Sequence, residues 1–352
     1  GVMITGSHNP PEFNGFKICV GYDSIHGTQI QELRKIMEAG AYLSGSGKQK
    51  IQDITGDYQN YILDHVKIKR KLKVVLDAGN GVGGKFAVPI LEKMGCDLTC
   101  LYCDPDGRFP NHFPDPTVED HLKDIIKAVA EKGADLGVAF DGDADRIGVI
   151  SDTGEIIWGD KLLLLFARNI LKDHPHAAII GEVKCSQVLY DGIKKSSGRP
   201  IMWKAGHSLI KAKMKEEKAV LGGEMSGHLF FADRYFGYDD AIYAATRLLE
   251  ILSQTNQKIS ELLSDVPKTY ATPEIRVDCD DDKKAQVVER IKAHYRNIPD
   301  VIDIDGVRIP FQDGWALVRC SNTQPVIVLR FEASTAENLK KIRHEVESLL
   351  KL

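Results

Sequence analysis

Three aspartates stand at alternate positions in residues 141–146 (DGDADR), here named the acidic loop. Asp141, Asp143 and Asp145 repel one another unless a cation neutralises them, and carboxylate oxygens beside a flexible glycine suit a hard ion such as Mg²⁺. The loop follows an apolar segment that is typical of a strand, and α/β sheets bind ligands at the carboxyl ends of their strands. The pattern therefore predicts a metal site, with a solvated acidic turn as the alternative.

A candidate reactive serine lies in residues 5–11 (TGSHNPP), here named the serine loop. Ser7 offers a hydroxyl in a turn, and His8 beside it is a proton partner or hydrogen-bond donor for such a group. Ser, Asn and Pro also form ordinary turns, so the segment by itself leaves its role open. Lys17 follows in the sequence NGFK and is either a phosphate contact, an acid–base group or a surface lysine.

A third loop, residues 222–228 (GGEMSGH), is here named the glutamate loop. Its glycines predict a tight turn that presents Glu224, Ser226 and His228 together. A carboxylate that accepts two hydroxyl hydrogen bonds is suited to binding the vicinal diol of a sugar. A purely structural loop is the alternative.

A fourth loop, residues 319–325 (RCSNTQP), is here named the arginine loop and lies between two apolar, strand-like segments. The guanidinium of Arg319, the side chains of Ser321, Asn322 and Thr323, and the N–H groups of a turn would together form an anion site. A plain β-hairpin turn is the alternative, but the polar run after the arginine favours phosphate.

A glycine pattern offers a competing hypothesis. Gly79, Gly81 and Gly84 follow a strand-like segment and precede a helix-like one, as in a dinucleotide-binding fingerprint. Because close packing between a strand and a helix requires the same glycines, we favour packing over nicotinamide binding.

The elements that must position these loops alternate between strands and helices. Short β-rich runs predict strands at residues 71–77, 97–102, 135–140, 177–183, 200–203 and 219–222. Helices are predicted at residues 86–94, 122–132, 161–172, 187–195, 208–217 and 239–253. This alternation indicates α/β units, with mixed or largely parallel sheets sandwiched by helices. After a boundary near residues 265–270, strands are predicted at 272–279, 301–304, 316–319 and 326–331 and helices at 283–294 and 336–350. This pattern predicts a C-terminal α+β domain.

Composition narrows the possible functions. The 352 residues are 43% hydrophobic and 27% charged with a net charge of −4, which supports a sizeable core and gives no basic excess for nucleic acid or an anionic membrane. The seven cysteines do not form a disulfide framework in a chain of this length, so a cytoplasmic location is expected. Residue 1 is Gly rather than Met, and residues 2–5 read as a strand entered midway, which predicts that an N-terminal portion is missing; a natural short form is the alternative.

Together, and in this order, the four loops resemble those of the α-D-phosphohexomutase superfamily. Met225 in the glutamate loop resembles the residue at that place in the bacterial phosphomannomutase/phosphoglucomutase branch. The resemblance covers the whole chain. It implies four domains: residues 1–53, the remainder of domain 1 with the serine loop; 54–155 with the acidic loop; 156–266 with the glutamate loop; and 267–352 with the arginine loop.

The same resemblance implies the roles of individual residues. Metal ligands are Ser7, Asp141, Asp143 and Asp145, and the catalytic residues are Ser7, His8, Lys17 and Arg146. The substrate is bound by Lys184, His207, Glu224, Ser226, His228, Arg319, Ser321, Asn322 and Thr323.

The activity implied is reversible interconversion of hexose 1-phosphate and hexose 6-phosphate, with mannose or glucose as the sugar. The reaction would use a phosphoserine at Ser7 and pass through a hexose 1,6-bisphosphate, which is both intermediate and activator. One Mg²⁺ per active site is expected. Expected partners are small hexose phosphates, without nucleic acid or membrane, in a monomer or weak dimer. A non-catalytic sugar-phosphate-binding fragment and a metal-dependent phosphatase that uses an aspartate of the acidic loop as nucleophile are the alternatives.

Overall fold

The computed structural model describes residues 1–7, 9, 12–40, 42–321 and 324–350. The predictions for His8, Asn322 and Thr323 therefore lie outside the described residues. Within the described part of the chain, no helix combines the length and the apolar composition that crossing a membrane requires.

A small antiparallel sheet carries the serine loop. Its elements are β1 (Val2–Thr5), β2 (Gly15–Val20) and β3 (Asp23–Ser24), followed by α1 (Thr28–Ala39) and α2 (Thr55–His65). β1 pairs with β2 so that Ile4 faces Phe16, and the serine loop joins the two strands. Most side chains of this sheet, and every residue of α1, lie outside the buried core.

A second sheet of five strands carries the acidic loop. Its elements are β4 (Lys73–Asp77), α3 (Gly83–Lys93), β5 (Asp97–Leu101), a 3-10 turn (Glu119–Leu122), α4 (Lys123–Lys132), β6 (Leu136–Phe140), β7 (Ile147–Ser151) and β8 (Ile156–Ile157). The strand order is β5-β4-β6-β7-β8, parallel from β5 to β6 and antiparallel beyond. Because α3 covers one face of β4 and β6 and α4 covers the other, both strands are apolar almost throughout.

A third sheet repeats this plan and carries the glutamate loop. Its elements are α5 (Gly159–Ile170), β9 (Ala178–Glu182), α6 (Gln187–Lys195), β10 (Arg199–Trp203), α7 (His207–Glu217), β11 (Leu221–Gly223), β12 (Leu229–Phe231), α8 (Ala241–Ser253) and α9 (Ile259–Leu262). The order is β10-β9-β11-β12, with β12 antiparallel. The acidic and glutamate loops are thus equivalent hairpins, each closing the antiparallel end of its sheet.

The fourth sheet is antiparallel and carries the arginine loop. Its elements are β13 (Tyr270–Ala271), β14 (Ile275–Asp278), α10 (Asp281–Tyr295), β15 (Val307–Phe311), β16 (Gly314–Cys320), β17 (Val326–Ala333) and α11 (Ala336–Glu347). β17 pairs with β16, β13 and β14, and β15 pairs with the far side of β16. Both long helices pack on the core of this sheet.

The predicted fold class is confirmed: an α/β multidomain protein with mixed sheets and a C-terminal α+β domain. The strand predicted at residues 301–304 was wrong, because only Ile302 forms a bridge there, to Arg308. β15 occupies residues 307–311 instead, where Arg308 and Pro310 interrupt the alternating pattern of a half-buried strand. β7 and β12 were not predicted, because each is a short run directly after a motif that resembles a strand-to-helix turn.

Candidate active site

The acidic loop is a tight hairpin turn whose own backbone orders its first carboxylate. Asp141 is fully buried, and its Oδ1 accepts the backbone N–H groups of Asp145 and Arg146, both at 3.0 Å. Its Oδ2 accepts Nε of Arg146 at 3.0 Å. Burial raises the pKa of Asp141, and the charges of Asp145 and Asp143 raise it further against the opposing charge of Arg146. The turn therefore holds negative charge in a place where water cannot solvate it.

Three of the four predicted metal ligands, the aspartates, meet in this turn. Asp141, Asp143 and Asp145 each offer an oxygen, and these oxygens all lie within 4.8 Å of one another. Among the described residues, Oδ1 of Asp143 and Oδ1 of Asp145 are buried polar atoms without a hydrogen-bond partner. Unpartnered carboxylate oxygens that converge in this way fit a hard divalent cation.

The serine loop lies directly on the acidic loop. Ser7 Oγ donates to Asp141 Oδ2 at 3.0 Å, and Thr5 Oγ1 donates to Asp143 Oδ2 at 2.6 Å. Thr5 Oγ1 also accepts the backbone N–H of Ser7 at 3.0 Å. Ser7 adopts the left-handed conformation, with φ of 49°, a geometry that non-glycine residues hold where their surroundings fix it. Three hydrogen bonds, two of which reach carboxylates of the acidic loop, thus fix the position of the Ser7 hydroxyl.

Glycines make this close approach possible. A Cβ on Gly142 would overlap the carbonyl oxygen of Ser7, and a Cβ on Gly81 would come within 2.7 Å of the carbonyl oxygen of Gly142. Gly84 packs equally tightly against the backbone of Cys103. The glycine pattern is thus accounted for by packing of the loop after β4 beneath the acidic loop, as the packing hypothesis predicts.

Lys17 on β2 reaches the same carboxylates. Its Nζ forms ion pairs with Asp143, at 3.2 Å, and with Asp145. Burial lowers the pKa of Lys17, but the charges of Asp145 and Asp143 outweigh it, so the net pKa lies above its usual value. The lysine therefore supplies positive charge to the acidic loop.

Arg146 is held between two carboxylates, one of which the motifs did not indicate. Its Nε donates to Asp141, and its Nη1 donates to Asp115 Oδ1 at 3.1 Å. Asp115 lies in a loop anchored by His112, whose Nε2 lies 3.1 Å from Oδ2 of the buried Asp77. Nη2 of Arg146 is buried without a hydrogen-bond partner among the described residues, so the guanidinium has a donor to offer at the site.

The acidic and glutamate loops are joined edge to edge. Arg146 and His228 form an antiparallel bridge, and Ile147 N donates to Gly227 O at 3.1 Å. A side chain at Gly227, where φ is 95°, would overlap the carbonyl oxygen of Ile147. This contact brings the second and third sheets together at the point where the reactive groups meet.

His228 lies between carboxylates of both sheets. Its Nδ1 is 3.2 Å from Asp239 Oδ2 and 3.6 Å from Asp145 Oδ1, and the ring stacks on His207 at a centroid distance of 5.8 Å. Burial lowers the pKa of His228, but Asp145 and Asp239 raise it more, to about 9. Asp239 was not among the predicted site residues, since in the sequence it reads as the start of a helix; Lys211 pairs with it at 3.1 Å.

Glu224 and Lys184 form a second group of predicted residues. Glu224 is buried and accepts the backbone N–H of Gly206 at 2.6 Å, while Ser226 is half-buried in the same turn. Lys184 Nζ lies 3.3 Å from Glu274 and 3.8 Å from Glu182. Burial lowers the pKa of Lys184, but the charges of Glu182 and Glu274 give a net rise.

The arginine loop forms the third group. Arg319 Nε donates to Asp305 Oδ2 at 3.0 Å, and Ser321 Oγ accepts the backbone N–H of Gln324 at 3.1 Å. Lys284, at the start of α10, donates to the carbonyl oxygens of Ser321 and Gln324 at 2.8 and 3.2 Å. Asp305 and Lys284 were missed, because neither belongs to a recognisable motif.

The structure thus brings Ser7, Lys17, Arg146, His228 and the three aspartates into direct or nearly direct contact. His207 joins them through its stack on His228. Glu182 interacts electrostatically with both Glu224 and Lys184, and Arg319 interacts electrostatically with Lys184. The charge of Glu224 also acts on His228, so the three groups interact electrostatically with one another.

The comparisons with known proteins cover the whole chain. Four family models of phosphoglucomutase/phosphomannomutase match consecutive parts of the chain: domain I at residues 1–43, domain II at 56–154, domain III at 158–270 and the C-terminal domain at 274–349. A phosphomannomutase/phosphoglucomutase of Pseudomonas aeruginosa is 48% identical, across 100% of this chain and 76% of its own length. A phosphoglucomutase of Neisseria meningitidis is 45% identical, across 99% of this chain and 77% of its own.

A solved structure agrees with these relatives. The crystal structure of a phosphoglucomutase/phosphomannomutase family protein from Burkholderia thailandensis superposes with a TM-score of 0.94 at 42% identity. The match covers 99% of this chain and 75% of that one.

Proposed function

Because the chain belongs to the phosphoglucomutase/phosphomannomutase family, we propose that it reversibly interconverts hexose 1-phosphate and hexose 6-phosphate, with glucose or mannose as the sugar. The observation that carries the proposal is the Ser7 hydroxyl, held 3.0 Å from Asp141 at the edge of three converging carboxylates. A hydroxyl in this setting is suited to carry a phosphoryl group, which needs a nearby cation to neutralise its charge.

The residues present fit a metal ion. Asp141, Asp143 and Asp145 would hold it, together with an oxygen of phosphorylated Ser7, and the all-oxygen donor set favours Mg²⁺, one per site. When bound, the ion would neutralise charge on the transferring phosphoryl group. The structural basis for this assignment is that Oδ1 of Asp143 and Oδ1 of Asp145 are buried and accept no hydrogen bond from the residues that the structure describes.

The protein's own residues orient the two reactants. Ser7 transfers its phosphoryl group to the free O1 or O6 hydroxyl of the bound hexose monophosphate. The 1,6-bisphosphate formed then reorients, and its other phosphoryl group returns to Ser7, so the same compound serves as activator. Arg146 and Lys17 contribute positive charge to the phosphoryl oxygens.

Three groups are candidates for acid–base catalysis of the phosphoryl transfer. Lys17 and His8 were the candidates from sequence, and His8 lies outside the described residues. His228 is the candidate that geometry adds, because its Nδ1 lies 3.2 Å from Asp239 Oδ2 and 3.6 Å from Asp145 Oδ1. The carboxylates that raise the pKa of Lys17 and of His228 keep both groups protonated, so either would donate a proton to the departing oxygen of Ser7 rather than accept one.

The remaining residues bind the sugar phosphate. Glu224 and Ser226 contact the ring hydroxyls, with His207 and Lys184 beside them. Arg319, Ser321, Asn322 and Thr323 bind whichever phosphate is not reacting. This division follows the three groups of the site.

Further properties belong to the same proposal. We propose domain bounds at residues 1–53, 54–155, 156–266 and 267–352, a monomer or weak dimer, and small hexose phosphates as the only partners. All seven cysteines are free thiols, which suits the reducing cytoplasm.

The test is phosphorylation of the protein itself. The chain is incubated with Mg²⁺ and glucose 1,6-bisphosphate, and its intact mass is compared with that of the Ser7→Ala and Ser44→Ala variants. Ser44 is an exposed serine outside the site and serves as the matched control. We expect a gain of one phosphoryl group in the parent and in Ser44→Ala, and none in Ser7→Ala.

Other outcomes identify the alternatives. Release of inorganic phosphate without a phosphoserine would favour a phosphatase, although Asp141 is already engaged by two backbone N–H groups and Arg146. Binding of glucose 1-phosphate without any mass gain would favour a sugar-phosphate-binding protein. Phosphorylation of Ser7→Ala would contradict the assignment of Ser7.

A further inference from the structure

Two neighbouring peptide N–H groups connect the glutamate loop to the arginine loop. Gly206 N donates to Glu224 Oε1 at 2.6 Å, and Ala205 N donates to Asp305 Oδ2 at 3.0 Å. The same Oδ2 atom accepts Nε of Arg319 at 3.0 Å. One carboxylate of the fourth sheet therefore touches both the anion-binding arginine and the loop that orients the sugar-binding glutamate.

The backbone fixes this carboxylate beside the arginine. Asp305 lies in the turn that precedes β15, and Gly306 follows it with φ of 72°. A Cβ on Gly306 would come within 2.6 Å of the Arg319 Cα, so the turn lies directly against β16. Only glycine allows this approach, and it leaves Asp305 little freedom to move away from Arg319.

The ion pair is shielded from water. The side chain of Arg319 is 7% exposed and that of Asp305 is 14% exposed. A charge-assisted hydrogen bond in such a place is stronger than an exposed one. The bond engages Nε, and a guanidinium carries four further donor hydrogens on its terminal nitrogens, which suit a phosphate.

We propose that Asp305 is a positioning residue that couples phosphate binding by Arg319 to sugar binding by Glu224. The inference rests on the proposed function, because it concerns how the same site recognises a hexose phosphate. Asp305 sets the direction of the Arg319 guanidinium. Through the N–H of Ala205 it also holds the peptide next to the one whose Gly206 N–H orients Glu224. A ligand that engages one of these residues thereby helps to position the other.

Contacts that do not involve Asp305 also join the third and fourth sheets. Arg308 donates to the carbonyl oxygens of Val183 and Cys185 at 2.6 and 2.7 Å, and its guanidinium stacks on Trp315 at 3.7 Å. Ser186 Oγ donates to Glu332 at 2.8 Å. Loss of Asp305 is therefore expected to alter the site without separating the sheets.

The test is calorimetric titration of the full chain with glucose 1-phosphate in the presence of Mg²⁺. We expect Asp305→Ala to weaken binding about 10- to 100-fold, the usual effect of deleting one partner of a buried charged hydrogen bond. Asp305→Asn keeps an acceptor for Ala205 N but loses the charge, so its loss should be intermediate. Asp303→Ala, an exposed aspartate of the same segment, is the matched control and should bind as the parent does.

Double variants separate positioning from a general structural effect. Because Asp305 contacts both Arg319 and Ala205, Asp305→Ala should weaken binding less in the Arg319→Ala background than in the parent, where both contacts are lost. Asp305→Ala combined with Glu224→Ala should depart from the product of the two single losses by more than about threefold, because coupled sites are not additive. The thermal midpoints of all variants are measured alongside.

Each contrary result overturns the inference. It fails if Asp305→Ala binds like Asp303→Ala, if its loss multiplies fully with that of Arg319→Ala, or if it combines independently with Glu224→Ala. If Asp305→Ala does not fold, Asp305→Asn decides by the same criteria. Absence of glucose 1-phosphate binding by the parent chain would instead overturn the proposed function, which distinguishes the two failures.

Discussion

Ser7 and Asp141 are in direct contact, yet the elements that carry them are held in different ways. The strand β6 before Asp141 is buried at every residue, between helices on both faces of its sheet. The strand β1 before Ser7 leaves Ile4 68% exposed, and its partner β2 leaves Phe16 64% exposed. The acidic loop is thus an extension of a hydrophobic core, whereas the serine loop is positioned by polar contacts with that extension.

This difference separates stability from reactivity. Substitutions below the acidic loop should reduce the free energy of unfolding, because they remove buried apolar contacts. Substitutions in the serine loop should alter the rate of Ser7 phosphorylation, because they change geometry at the surface of an intact core. Four experiments would break or sharpen the contrast.

The largest effect is expected from a pair of phenylalanines. Phe140→Ala, at the end of β6, should lower the free energy of unfolding by about 3–5 kcal/mol, since it leaves a cavity in the core. Phe16→Ala on β2 should change it by no more than about 0.5 kcal/mol, since most of that ring is already in water. Urea denaturation measures both, and equal losses would contradict the comparison.

Gly142→Ala acts where the two regions meet. Its new Cβ would overlap the Ser7 carbonyl oxygen, so the serine loop must shift, and a displacement of about 1 Å can slow a reaction about 100-fold. The measurement is the rate of mass gain with glucose 1,6-bisphosphate. Gly107→Ala is the control, because a Cβ there meets no atom within 4 Å. An unchanged rate in Gly142→Ala would show that the serine loop adapts without loss.

Thr5→Val tests the polar contacts alone. It keeps the shape of the side chain but loses the hydrogen bonds to Asp143 and from the Ser7 N–H. We expect Ser7 phosphorylation to slow about 10-fold, with the free energy of unfolding lowered by no more than about 1.5 kcal/mol, less than for Phe140→Ala. The exposed Thr28→Val variant is the control. A loss of stability without a loss of rate would reverse the assignment.

The smallest effect concerns pH and the loop that carries Asp115. Burial lowers the pKa of His112, but the hydrogen bond and charge of Asp77, with a contribution from Asp124, raise it above its ordinary value; His121 stacks beside it. The stabilisation is therefore present in full below the ordinary histidine pKa of about 6.5 and is lost as pH rises through the elevated pKa.

The difference in unfolding free energy between the parent and His112→Gln measures this contribution. We expect the difference to shrink by about 1 kcal/mol between acidic and alkaline pH. A difference that grows with pH would mean that the neutral imidazole, rather than the cation, is the stabilising form.

Local sequence was sufficient to identify the four loops and most of the elements around them. The acidic, glutamate and arginine loops each follow an apolar run, and they combine residue types that suit cation, sugar and anion binding. The helix predicted at residues 187–195 has those same bounds in the structure, because a serine cap and an amphipathic pattern define it locally. Fold class and family therefore followed from short stretches of chain.

Only the tertiary structure decided which residues support the loops. Asp115, Asp239, Lys284 and Asp305 belong to no motif, and in the sequence they read as ordinary turn or helix-start residues. Asp305 reaches Ala205 across 100 positions of the chain, a contact that exists only because the third and fourth sheets are docked. Short-range patterns record what a loop can bind, whereas the direction of each side chain depends on which distant backbone packs against it.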